Sequence, residues 1–124
     1  MTSQIAEIWE KLRNIYKRLK TPCKQEIVSA SSLIPKATTD LLVVTSLGED
    51  LTIENWTGVI SDGQAMLIKI LDDGTTRALT FGTDYREIGI TLPTATTAGK
   101  WVYIFCIYSS ADSKIDVLSV QQEA

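Results

Sequence analysis

Histidine is absent from this chain of 124 residues, and cysteine occurs only twice. Without histidine there is no Ser-His or Cys-His nucleophile pair and no imidazole ligand for a metal. Two distant thiols, Cys23 and Cys106, are too few for a zinc site or a disulfide framework. No glycine-rich phosphate loop precedes a helix. We therefore expect no enzymatic activity, no metal and no other cofactor.

Carboxylates are the remaining candidates for catalysis, because a glycosidase needs only two of them. The pairs Asp72-Asp73 and Glu49-Asp50, and the single Asp84, all fall in predicted turns. Aspartate favours turns because its side chain bonds its own backbone. No spacing typical of a calcium-binding loop is present either. These carboxylates are therefore interpreted as turn residues, and no catalytic residue is assigned.

Long hydrophobic runs are also missing. No apolar stretch approaches the roughly 20 residues that cross a bilayer, and polar residues follow Met1 where a signal peptide would be apolar. We therefore expect a protein made in the cytoplasm, without a secretion signal or a membrane partner. Residues 1–24 carry a net charge of +4 and residues 25–124 a net charge of −7. The acidic body argues against nucleic acid as a partner, because phosphate neutralisation needs basic residues.

A helical pattern occupies the N-terminus, in SQIAEIWEKLRNIYKRLKTP. Its apolar residues recur in steps of three and four, the spacing of a coiled-coil seam. Thr21-Pro22 ends the pattern, since proline disfavours helical geometry at the preceding residue. Trp9 and Tyr16 widen the apolar stripe beyond a two-stranded seam. The predicted oligomerisation residues are Ile5, Ile8, Leu12, Ile15 and Leu19.

Three interpretations of this helix compete. Isoleucine at the d positions favours trimers or tetramers over dimers, so a homo-oligomer, above all a trimer, is the leading one. The helix could instead pack on its own β domain, or lie on a membrane surface as a basic amphipathic helix. Fewer than three heptads are marginal on their own. If the helix does assemble chains, the β domains are expected to associate too. Cys23, just beyond the helix, could then cross-link chains, although a free thiol is favoured.

The period changes to two after the helix, which indicates strands. Asp73-Gly74 predicts a hairpin between AMLIKILD and TTRALTFG, Gly48-Glu49 joins DLLVVTSL to DLTIENW, and Ala111-Asp112 joins the last two strands. The pattern predicts a single antiparallel β-sandwich or jelly-roll-like domain at 40–124, after a helical stem at 1–21 and a linker at 22–39. The predicted strands are 40–47, 50–56, 65–72, 75–82, 85–93, 101–110 and 113–120, with a weaker one at 25–30.

The strand WVYIFCIY is apolar on both faces. Trp101, Tyr103 and Phe105 alternate with apolar residues that include Ile104 and Cys106. Such a strand is either central in a sheet covered on both sides or has one face packed on another subunit. Cys106 is expected to be a small buried side chain.

The segment from Asn55 to the C-terminus resembles a β domain that recurs in structural proteins of tailed bacteriophages. The resemblance covers more than half of the chain, and its motifs are signatures of turns and strands. Trp56 departs from the pattern, where proline is commoner, as does Phe105, where a small residue is usual. The matching motifs are N-x-T-G at 55–58, DGQ at 62–64, DDGTTRALTFG at 72–82, YREIGITLPT at 85–94, AGKWVYIFCIY at 98–108 and SADSKIDVLSVQQEA at 110–124.

The resemblance implies a non-enzymatic virion component, such as a fibre, a capsid decoration protein or a tail-attached knob. Its expected partners are further copies of itself and other virion proteins of the capsid or tail. An alternative is a carbohydrate-binding module for a host surface glycan, with Trp56 and Tyr85 as the stacking candidates. A third interpretation is a phage accessory protein that is not part of the particle.

Overall fold

The computed structural model describes residues 2–20 and 22–124, and within the helix it describes the side chains of residues 4–14. The described chain is mainly β, with one N-terminal helix, as the sequence predicted. Helix α1 spans Thr2–Lys20. The strands are β1 (Lys24–Ile27), β2 (Ser32–Leu33), β3 (Leu41–Leu47), β4 (Leu51–Ile53), β5 (Ala65–Asp72), β6 (Leu79–Phe81), β7 (Tyr85–Glu87), β8 (Val102–Ser109) and β9 (Lys114–Gln122).

The strands form a six-stranded sheet in the order β1-β3-β5-β8-β9-β7 and a three-stranded sheet in the order β2-β4-β6. From β1 to β6 the chain alternates between the two sheets, and every pairing among these six strands is parallel. Lys24 therefore pairs with Leu41 and Leu41 with Leu67 in one sheet, while Leu51 pairs with Leu79 in the other. Successive β-strand pairs thus stack as three coils of chain.

The predicted antiparallel arrangement is wrong for most of the domain. β3 and β4 lie in different sheets, as do β5 and β6, so neither Gly48-Glu49 nor Asp73-Gly74 closes a hairpin. Gly74 does make a tight turn, at φ 100°, but the turn leads the chain from one sheet towards the other. A period of two and a glycine turn are common to a hairpin and to a stacked coil, so these signals do not distinguish the two.

Antiparallel pairing is found between β5 and β8 and between β8 and β9. The hairpin predicted at the C-terminus is therefore confirmed, with its turn at residues 110–113. The strand predicted over 85–93 is shorter than expected. It ends at Glu87, and the Glu87 carboxylate then accepts a 2.6 Å hydrogen bond from the backbone N–H of Leu92, outside any strand.

Residues 22–39, expected to be a linker with a weak first strand, are part of the β body. They supply β1 and β2, each of which is an edge strand of its sheet. Leu33 and Ala37 are buried. The Gln25 side chain accepts hydrogen bonds from the Lys36 backbone N–H at 3.3 Å and from the Thr39 hydroxyl at 3.2 Å. These contacts hold the segment against itself as the first coil.

One hydrophobic cluster contains side chains of both sheets. Ile68 and Ile104 come from the six-stranded sheet, and Leu51 and Ile53 come from the three-stranded sheet. Burying one aliphatic side chain of this size stabilises a fold by about 1.5–3 kcal/mol. Cys106 is completely buried within the cluster, as predicted. Because alternate residues of a strand point to opposite faces, the other face of the six-stranded sheet points away from this core.

Candidate functional site

Helix α1 carries an apolar stripe that its own chain leaves exposed. Ile5, Ile8 and Leu12 retain 50–58% of their surface, and Trp9 retains 63%. Every side chain from residue 4 to residue 14 is exposed, so this part of the helix does not pack on the β body. The side chains of Ile15 and Leu19, which complete the predicted seam, lie outside the described residues. An amphipathic helix normally buries its apolar stripe against a partner, and here the described stripe has none within the chain.

Trp56 and Tyr85, the candidates for glycan stacking, are not exposed. Trp56 is 6% exposed and Tyr85 is 8% exposed, and both belong to the hydrophobic core cluster. A sugar ring needs an accessible aromatic face, so this assignment is wrong. The Trp56 ring stacks with the Tyr108 ring at a centroid distance of 6.3 Å, and the Phe81 ring meets the Tyr85 ring edge-on at 5.3 Å. Both candidates are core residues.

The surroundings of Tyr85 explain why a residue next to a turn is buried. Its hydroxyl donates a 3.0 Å hydrogen bond to the backbone carbonyl of Glu54, which satisfies the polar end of the side chain inside the protein. Burial raises the pKa of Tyr85 well above its ordinary value. Glu54 is 31 residues away in sequence, so no local pattern around Tyr85 indicates this partner.

The second exposed apolar surface is the side of the six-stranded sheet that points away from the core, here called the outer face. In β8, exposed Tyr103 and Phe105 alternate with buried Ile104 and Cys106. Leu118 is the extra residue of a β-bulge in β9, opposite the step from Phe105 to Cys106. The outer face is defined by Leu41, Leu67, Lys69, Trp101, Tyr103, Phe105 and Leu118.

A cleft of about 340 Å³ lies at one part of the outer face. The Lys69 ammonium lies 4.6 Å from the ring centroid of Trp101 and 5.0 Å from that of Tyr103. These distances are within the range of a cation–π interaction. The cleft is lined by Trp101, Tyr103, Gln121, Gln122 and Glu123.

Two polar side chains of the cleft are engaged in holding the chain terminus. The Glu123 carboxylate accepts a 3.0 Å hydrogen bond from the backbone N–H of Trp101, and the Gln122 side-chain oxygen accepts one of 2.8 Å from the Thr97 hydroxyl. The sequence indicated the double-sided character of β8 but not the cleft. The cleft requires the pairing of Tyr103 with Gln121, and no sequence signal marks the β-bulge at Leu118 that sets this register.

The carboxylates considered for catalysis act as structural hydrogen-bond acceptors where the structure describes their contacts. Asp50 accepts a 2.9 Å hydrogen bond from the backbone N–H of Ala78, and Asp73 forms a 2.8 Å ion pair with Arg77. Asp72 is buried and accepts three hydrogen bonds. Among the side chains that the structure describes, no group of three or more His, Cys, Asp and Glu residues is placed to hold a metal ion.

Within the described residues, no helix has the length and apolar character needed to cross a membrane. Comparisons of the chain with protein-family models, with curated proteins and with solved structures find no match. The resemblance to phage β domains therefore stays a prediction. The stem and the outer face are the features from which a function is inferred.

Proposed function

We propose that this chain is a non-enzymatic structural component of a tailed-phage virion, a trimeric fibre or capsid decoration protein assembled through its N-terminal helix. The exposed stripe of Ile5, Ile8 and Leu12 carries the proposal. In a monomer these side chains would face water, whereas a parallel coiled coil of three stems would bury them together with Ile15 and Leu19.

The energetic argument favours burial between chains. Each aliphatic side chain that leaves water contributes about 1.5–3 kcal/mol, so three chains with three such residues each gain substantially from association. The helix itself gains as well, because its 19 residues are only a few more than the roughly 15 below which an isolated helix is barely stable in water. Assembly and helix formation would thus be coupled. Membrane binding is less favoured, because repulsion between anionic lipid and the body at 25–124, with its net charge of −7, opposes the attraction of the basic helix.

The β body supports a structural role. Its stacked coils and β8 together place a row of aliphatic side chains inside, Leu42, Ile68 and Ile104, each completely buried. We further propose that the two sheets face each other across this core as a β-sandwich and that the stem forms a coiled coil. Rigidity of this kind suits a projection from a particle surface. The proposed partners are two further copies of the chain and a capsid or tail protein.

The first test is the mass of the full-length protein in solution, measured by light scattering after size exclusion. Ile8→Asp/Leu12→Asp places two carboxylates in the seam, and we expect it to convert trimers into monomers. Ala6→Asp/Asn14→Asp adds the same charge to the same helix outside the seam, so this control should remain trimeric. A seam variant with the trimer mass of the wild type would mean that the stem does not join the chains.

The second test concerns the particle. We expect peptides of this chain in purified phage particles, in a fixed ratio to the capsid protein, after mass spectrometry. If particles that are complete and infectious contain no peptides of this chain, the virion role is contradicted. In that case a trimeric chain would be an accessory protein of the infected cell.

A further inference from the structure

We propose that the outer face of the six-stranded sheet is a second self-association surface, covered in the assembled protein by another copy of this chain. The inference rests on the proposed stem trimer and adds the β body to its interface. The inference is supported by the exposure and composition of the face, by its position relative to the stem and by the shortness of the stem.

The outer face has the composition of an interface core. Tyr103, Phe105 and Leu118 are 36–39% exposed although they lie on the central and bulged parts of the sheet. Aromatic side chains are enriched at the centres of protein interfaces, and charged ones are depleted there. Lys24 and Glu26 lie on the same side of the sheet but in the edge strand β1, where they form a 3.1 Å ion pair. Lys69 is the charged side chain nearer the centre of the face, and its ammonium is held near the rings of Trp101 and Tyr103. Its ammonium can keep these ring contacts while its aliphatic chain is covered.

The stem is connected by a short segment to the edge strand of this sheet. α1 ends at Lys20 and β1 begins at Lys24. The chain between them can therefore extend at most about 14 Å. Lys24 pairs with Leu41, Leu41 with Leu67, and Leu67 with Phe105, so one row of residues crosses the sheet from the stem to the centre of the face. Three stems joined at their seams would therefore hold three bodies close together, with this row near the junction.

Such tethering makes even a modest contact effective. A short connection raises the effective concentration of a neighbouring domain to the millimolar range, so contacts that are weak between free bodies form within the assembly. A trimer joined by the stem alone would also be weak. The stem holds fewer than three heptads, which is marginal for a coiled coil in isolation. A second copy is thus the occupant that the connectivity of this chain places beside the face.

Residues 4–14 of the chain's own helix do not cover the face, because every side chain in this described part of the helix is exposed. The alternation in β8 points in the same direction. A strand that is apolar on both sides is expected to be covered on both sides, and Ile104 and Cys106 account for one side only.

The experiment compares the wild type, a face variant and a control variant, all of full length. For each protein, analytical ultracentrifugation measures the concentration at which half of the trimers dissociate on dilution. Tyr103→Thr/Phe105→Thr removes two rings but keeps residues that favour strands. We expect the midpoint concentration for dissociation to rise at least tenfold. The matched control is Ile34→Thr/Val59→Thr, which changes two exposed apolar residues outside the six-stranded sheet, Ile34 being 51% and Val59 95% exposed. This control should dissociate like the wild type.

Folding is checked separately, so that a damaged body is not mistaken for a lost contact. In the monomeric Ile8→Asp/Leu12→Asp background, the ring-deleted body should keep a cooperative thermal transition. If it does not, Leu118→Thr replaces it as the test, since Leu118 lies in the bulge and its loss leaves both rings in place. A raised midpoint for Leu118→Thr supports the proposal, and an unchanged one contradicts it.

The outcomes separate the two proposals. An unchanged midpoint in the face variant, beside a monomeric stem variant, would overturn the second surface and leave the stem trimer intact. A wild-type protein that is monomeric at all concentrations would overturn both. A glycan-array signal that the face variant loses, with no change in its midpoint, would assign the cleft to a saccharide and also contradict self-association at this face.

Discussion

The Asp72 carboxylate accepts a 2.8 Å hydrogen bond from the backbone N–H of Gly99, which lies 27 residues further along the chain. The same oxygen accepts a 2.9 Å bond from the N–H of Gly74, and the other oxygen accepts a 2.7 Å bond from the Thr96 hydroxyl. Asp72 and Thr96 are both buried. One side chain thus links the end of β5, the following turn and the segment that precedes β8.

Replacing this carboxylate is expected to destabilise the body. In Asp72→Asn the amide can accept at its oxygen, but its NH₂ group cannot accept a hydrogen bond. A buried donor left without a partner costs about 1–3 kcal/mol, so the free energy of unfolding should fall by that amount in urea titrations. Asp73→Asn is the control, because it changes the next residue, which is exposed, and should cost less. Equal losses in the two variants would contradict the role assigned to Asp72.

The same site predicts a dependence on pH. Burial opposes ionisation of Asp72, but hydrogen bonds from Gly99, Thr96 and Gly74, together with the charge of Arg77, outweigh it and hold its pKa below the ordinary 3.8. The folded pKa is below the unfolded one, so this stabilisation is complete above about pH 5 and declines as the pH falls through 3.8 and below the folded pKa. Unfolding free energies measured from pH 7 to pH 2 should fall less steeply in Asp72→Asn than in the wild type.

Gly82 is expected to tolerate no side chain. A Cβ there would lie 2.7 Å from the backbone nitrogen of Asn55, a rigid group that cannot move aside. Asn55 is also tied down, since its side-chain oxygen accepts a 2.8 Å hydrogen bond from the N–H of Asp84. Gly82→Ala should therefore lower the free energy of unfolding by about 1–3 kcal/mol, as overpacking does elsewhere.

The control for this prediction is Gly48→Ala. The nearest atoms to a Cβ at Gly48 are 3.6 and 3.7 Å away and belong to side chains, which is ordinary contact. Thermal unfolding of the two variants beside the wild type provides the measurement. If Gly82→Ala melts at the wild-type temperature, the approach of Asn55 to Gly82 is looser than the structure shows.

Ser113 adopts a left-handed backbone conformation, at φ 54°, in the hairpin turn between β8 and β9. A β-branched side chain is strongly disfavoured there, so Ser113→Val should destabilise the hairpin by about 1–2 kcal/mol. Ser113→Gly relieves the backbone strain, but glycine also gives the unfolded chain more conformational entropy. The two effects on the free energy of unfolding are of similar size and opposite sign, so stability should change little. Hydrogen exchange of amides in β8 and β9 would locate the effect. Faster exchange in Ser113→Gly than in Ser113→Val would contradict this assignment.

Local chemistry was enough to predict several elements. The three-and-four spacing of apolar residues and Thr21-Pro22 predicted α1, and it ends at Lys20. The alternation in AMLIKILD predicted β5, whose residues alternate between buried and half-buried along its whole length. The C-terminal hairpin was also predicted, because its two strands are adjacent in sequence and joined by a short turn. In each case the determining interactions lie within one element or between two strands that are adjacent in sequence.

The sequence by itself determined where the chain is helical, where most of its strands lie and which residues are apolar. Only the tertiary structure decided which strands pair, because a strand presents the same alternation to a parallel neighbour 17 residues away as to an antiparallel one across a turn. It also decided that Trp56 and Tyr85 are core residues and that Tyr103 and Phe105 are exposed. Burial depends on what arrives from distant parts of the chain, as Glu54 does at the Tyr85 hydroxyl.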